Sequence, residues 1–101
     1  MSLRIQFIKM PVSESLIEIT TKKIEKLLLK YKQMLEIEVF YKLENDPSGN
    51  SKICEIVSIL PGIKIFASSK QDDFEFALNR ALSQIEIQLK KKKANLTKIK
   101  L

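Results

Sequence analysis

Lysines are the residues of this 101-residue chain best placed to do chemistry together. Lys22, Lys26 and Lys30 recur at i, i+4 and i+8 with Lys23 beside the first, so on a helix they form one basic stripe, while Glu14, Glu18 and Glu25 gather on the other flank. A second group lies near the end of the chain. From residue 76 onward, Arg80, Lys90, Lys91, Lys92, Lys93, Lys98 and Lys100 are set against a single carboxylate, Glu86, and their excess equals the +6 net charge of the whole protein. Ammonium groups crowded in this way neutralise phosphates and release the counterions condensed on a polyanion. Nucleic acid and an anionic membrane surface both answer that description, and a lysine stripe that merely keeps a helix solvated is the plain alternative.

Covalent chemistry has little material. The chain has no histidine, one cysteine and no glycine-rich phosphate loop, so the common nucleophile-base pairs and metal sites cannot be assembled. Glu36, Glu38 and Glu44 read as the polar side of a strand, and Cys54, inside an apolar run, reads as a small core residue. We therefore expect no enzyme activity, no cofactor, no metal and no small-molecule substrate. A lone cysteine cannot form an internal disulfide, and no signal-like segment opens the chain, so a reducing cytoplasm is the expected location. No apolar stretch approaches the roughly 20 residues of a membrane span, which predicts a soluble protein.

The elements that must carry the lysines follow from periodicity. Residues 3 to 9 alternate through Leu3, Ile5 and Phe7, and residues 35 to 43 through Leu35, Ile37, Val39, Tyr41 and Leu43, as half-buried strands do. Between them, Ser13 supplies an N-cap, and apolar residues at spacings of three and four predict a helix from about 13 to 32, burying Leu16, Thr20, Ile24, Leu27 and Tyr31. The turn-rich segment 45 to 51 leads into the apolar run Ile53 to Leu60, and Pro61-Gly62 turns it back into a fourth strand from Ile63. Asp72 or Asp73 then caps a helix whose apolar positions run from Phe74 to Leu89. The expectation is an α+β, β-α-β-β-β-α two-layer sandwich: a four-stranded, mainly antiparallel sheet with two helices on one face, similar to a double-stranded-RNA-binding domain. Residues 1 to 93 make the domain, and 94 to 101 a short, basic, flexible tail.

On the second helix Arg80, Gln84, Ile87 and Lys91 share one line away from the apolar stripe, where they can track phosphates. Phe76 and Ile87 also point outward, either as stray surface residues or as contacts to a partner. No aromatic RNA-binding motif, GXXG loop or zinc knuckle is present, so shape and phosphate recognition of structured RNA fits better than base reading.

Two stretches together with this element order resemble the ribosome hibernation promoting factor family, also called the YfiA, ribosome-associated inhibitor or sigma-54 modulation family. They are SESLIEITTKKIEKLLLKY, similar to the family's first helix with its paired K-x-x-K-L, and DDFEFALNRALSQIEIQLKKKK, similar to its acidic cap, amphipathic helix and basic end. The resemblance covers nearly the whole chain and is to a short form, without a linker and C-terminal dimerisation domain. It implies a non-enzymatic, cytoplasmic translation inhibitor that binds rRNA of the small ribosomal subunit in the tRNA and mRNA channel and keeps idle ribosomes inactive under stress. No DNA and no membrane partner is implied, and the protein is expected to be a monomer off the ribosome. Carried over position by position, the rRNA contacts are Lys23 and Lys26 in the first helix and Lys90, Lys91 and Lys93 in the second; Lys22, Lys30 and Arg80 join them on stripe geometry. Gln84, where the family usually has a basic residue, and Lys9-Met10-Pro11, where it often has Gly and His, depart from the pattern. A general binder of structured RNA or of anionic surfaces is the alternative.

Overall fold

Ser13 starts the first helix as its spacing predicts: its backbone is extended, and its hydroxyl accepts a hydrogen bond from the Leu16 amide at 3.3 Å. Asp73 does the same for the second, its carboxylate accepting from the Phe76 amide at 3.0 Å. The computed structural model describes residues 2–45 and 47–99, with backbone alone for 92–99. Its elements are β1 (Ser2–Ile8), α1 (Glu14–Lys30), β2 (Glu36–Leu43), β3 (Lys52–Leu60), β4 (Ile63–Gln71) and α2 (Phe74–Ile99), the order expected. α2 is helical past residue 93. Residues 100 and 101 and the side chains from Lys92 onward lie outside the description, and with them the character of the 94–101 tail.

The strands lie in chain order, β1-β2-β3-β4. β2, β3 and β4 form an antiparallel meander, and Pro61-Gly62 makes its second hairpin with Gly62 at φ +72, the conformation a proline-glycine turn needs. β1 pairs with β2 in parallel, from Ser2↔Glu36 to Ile8↔Lys42, because α1 returns the chain to the end where β1 began. The sheet is therefore mixed.

Alternation sends Ile37, Val39 and Tyr41, Cys54 and Ile56, and Ile65 and Ala67 to one face, where they join Leu16, Ile24 and Leu27 of α1 and Ala77, Leu78, Ala81, Ile85 and Leu89 of α2 in a single core. Thr20 is buried with them, and Tyr31, expected inside, is half-buried at the end of α1. Leu35 and Leu43, on the apolar side of the β2 pattern, are exposed because they fall at the strand's ends, beyond the cover of the helices.

Tyr41 sets the helices on the sheet. Its ring stacks on Phe7 of β1 and meets Phe74 of α2 edge-on, both at 5.5 Å between centroids, and its hydroxyl is hydrogen-bonded to that of Thr20 in α1 at 2.6 Å. Cys54, its cross-strand neighbour, is buried, and loss of solvation pushes the thiol up to about 12, against 9.0 for an ordinary cysteine. That thiol is inert packing, as its setting in the sequence suggested. At the outer edge of the sheet, Gln88 of α2 donates to the Phe66 carbonyl of β4 at 2.9 Å and so satisfies part of the free strand edge.

Candidate nucleic-acid interface

α1 and α2 lie side by side with a groove of about 440 Å³ between them. The α1 wall is Lys23, Lys26, Leu27 and Lys30; the α2 wall is Asn79, Leu82, Ser83 and Glu86. Leu27 is buried and Leu82 half-buried, so apolar side chains anchor the floor and the polar ends stand at the rim. Lys23, Lys26 and Lys30 follow one another by three and four residues, about one helical turn of 5.4 Å apart, so their ammonium groups form a row along the mouth.

The stripe expected on α1 divides. Lys23, Lys26 and Lys30 line the groove, whereas Lys22 stands outside it and pairs with Glu18 one turn back at 3.3 Å. Lys30 reaches across the groove to Glu86 at 3.6 Å. Among the described residues, Lys23 and Lys26 have no carboxylate within ion-pairing distance. Exposed pairs such as these contribute little stability, on the order of 0–1 kcal/mol, and yield readily to a phosphate.

Arg80, Lys90 and Lys91 of α2 are exposed and lie outside the groove's lining. They extend the cationic surface beyond it, and Lys93 lies among the residues whose side chains are not described. Phe76 and Ile87 point to solvent as expected, 47% and 54% exposed. The residues that sequence reasoning missed are Asn79, Ser83 and Glu86. Their spacing of i, i+4 and i+7 marks one face of α2, and it is this face, not the line of Arg80 and Lys91, that meets α1. The open lysines, two neutral hydrogen-bonding side chains and one carboxylate suit an extended anion held by many weak contacts. Among the described residues no cluster of three or more His, Cys, Asp or Glu is placed to hold a metal, and no helix is long and apolar enough to cross a membrane.

The fold recurs in solved structures. A ribosomal subunit interface protein from Coxiella burnetii superposes with a TM-score of 0.83 at 24% identity, over 93% of this chain and 99% of that one. The N-terminal domain of Protein Y from Thermus thermophilus superposes with a TM-score of 0.74 at 22% identity, over 90% and 98%. No curated protein sequence matches significantly. The family model described as sigma 54 modulation protein / S30EA ribosomal protein matches residues 3–97, almost the whole chain, and the chain therefore belongs to that family.

Proposed function

We propose that this protein is a ribosome hibernation factor that lays its helical layer on rRNA of the small subunit, in the channel used by tRNA and mRNA, and so holds idle ribosomes inactive in the cytoplasm. The observation that carries the reading is the row of Lys23, Lys26 and Lys30 along the interhelical groove, in a chain of a ribosomal protein family. The name of the Coxiella burnetii relative, a ribosomal subunit interface protein, supports the same partner. Lys23 and Lys26 are the primary phosphate contacts. Lys30 and Lys22 contribute by exchanging Glu86 and Glu18 for phosphate, and Arg80, Lys90, Lys91 and Lys93 extend the contact along α2. Lysines rigidly spaced on helices recognise the shape of folded RNA, since phosphate positions, not base edges, are what they meet.

Co-sedimentation with purified subunits at moderate salt tests this reading. The wild-type protein is expected to pellet with the small subunit and to survive salt that strips a purely electrostatic binder. The Lys23→Glu, Lys26→Glu variant is expected to stay in the supernatant with an unchanged circular dichroism spectrum. Binding to a free RNA duplex as tight as to the subunit would point instead to a general structured-RNA binder.

A further inference from the structure

Both helices cover the same face of the sheet, and the opposite face carries an apolar centre. Ile8, Phe40, Ile53, Val57, Ile59 and Phe66 point to that side, and none belongs to the core cluster. By register Val57 sits beside Phe66, 53% exposed, while Ile59 lies between Glu36 and Lys64. β3 is thus apolar on both faces apart from Lys52 at its start, Glu55 and Ser58, the composition of a strand covered on both sides. Phe40, Val57, Ile59 and Phe66 form the apolar centre, set off from Ile8 and Ile53 by the Lys42–Glu55 pair, and an apolar patch with a polar rim suits a protein contact.

Charge separates this face from the helical one. Its ion pairs are internal: Arg4 with Glu38 at 3.7 Å, Lys42 with Glu55 at 2.9 Å, and Lys70 with Glu44. The face is close to neutral, so a polyanion gains little there and an identical face is not repelled. Glu36 and Lys64, exposed at the same end of the sheet with β3 between them, have no ion-pair partner among the described residues.

We propose that a second copy of this chain covers the open face, sheet against sheet, about a two-fold axis running along β3. Such an axis lays β2 of each copy over β4 of the other, so Glu36 stands opposite Lys64 of the second copy, and Lys64 opposite its Glu36. Val57 and Ile59 meet their counterparts near the axis, and Phe66 packs toward β2 of the other copy, within the usual aligned packing of twisted sheets. Glu55 also approaches its counterpart, each already neutralised by Lys42. Strands of this length and spacing offer a face of about 25 by 19 Å, so the dimer buries on the order of 1,000 Å² in total. That is at the low end for a specific interface, the range of weak and transient association, so the dilute protein is expected to be monomeric. The two basic helical layers point outward on opposite sides of the dimer.

Sedimentation equilibrium of the intact chain from about 10 µM to about 1 mM tests the proposal. The mass is expected to rise toward twice the monomer mass, and the Phe66→Glu variant to stay monomeric throughout with an unchanged circular dichroism spectrum. Glu36→Lys is expected to weaken association, and adding Lys64→Glu to restore it. The Lys23→Glu, Lys26→Glu variant should associate like the wild type whether or not it binds ribosomes. A wild-type chain that remains monomeric, Phe66→Glu association equal to the wild type, or loss of association in the lysine variant overturns the proposal; failure of the charge swap overturns the two-fold axis.

Discussion

The helical layer and the open sheet face are built from the same pool of lysines and glutamates but arrange them in opposite ways. On the sheet, Arg4, Lys42 and Lys70 each stand beside a carboxylate on a neighbouring strand or loop. On the helices, among the described residues, Lys23 and Lys26 have no carboxylate partner, while Lys22 and Lys30 are paired. Pairing neutralises a surface and lets apolar residues sit among the charges; withholding it creates a field that reaches to about a Debye length, roughly 8–10 Å, and acts on other molecules. Net charge alone hides this division.

The largest effect that can break the contrast is charge reversal. Lys23→Glu with Lys26→Glu is expected to weaken ribosome binding about a hundredfold or more and to lower the salt slope by about one unit for each phosphate no longer neutralised, as a salt series of binding isotherms would record. Lys42→Glu on the sheet is expected to leave that binding within about twofold; an equal loss there would dissolve the distinction.

The seam between the layers comes next. Thr20→Val removes the Thr20 hydroxyl from the buried Tyr41 hydroxyl and is expected to cost about 1–3 kcal/mol in urea denaturation. The same seam responds to alkali. Burial raises the Cys54 thiol from 9.0 to about 12 and raises the Tyr41 phenol above its ordinary 10.0. The fold therefore keeps both protons more tightly than the unfolded chain does. The stability this represents is whole below pH 9 and falls as pH climbs from 9 toward 12, which denaturation midpoints across that range would follow. At about pH 8 a disulfide reagent should leave Cys54 unmodified until the protein unfolds.

A smaller change sharpens the helical side. Glu86→Gln removes the carboxylate that holds Lys30 and is expected to strengthen ribosome binding about three- to tenfold with no loss of stability beyond about 1 kcal/mol. Smallest is Gln88→Ala, which removes the bond to the Phe66 carbonyl and should cost about 0.5–1 kcal/mol in the same urea assay.

Much of the frame was legible in the sequence, because its signals are local. Ser13 and Asp73 cap the helices they precede, Pro61-Gly62 makes its turn, and the alternation in β2 sets which side chains enter the core. The i, i+4 spacing of Glu18 and Lys22 was readable for the same reason. Lys30 and Glu86 were not, since their meeting depends on how two helices settle across a shared core, and that pairing leaves no mark in either helix alone. The groove wall of Asn79, Ser83 and Glu86 had a readable spacing but no charge to draw attention to it beyond a single carboxylate. Likewise the run Ile53 to Leu60 announced a strand without telling which of its two apolar sides the helices would leave open.

The order of strands also has a kinetic consequence. The meander pairs residues close in the chain, Leu43 with Lys52 and Leu60 with Ile63, whereas β1 must find β2 across the whole of α1, Ser2 against Glu36. Closing the longer loop costs more entropy, so the hairpins are expected to form before β1 docks. β1 is an edge strand, held by β2 alone, and its amides should exchange with deuterium ahead of those in the central β3. The helix that carries Lys23 and Lys26 is thus tethered, at its N-terminal side, to the strand that completes the fold.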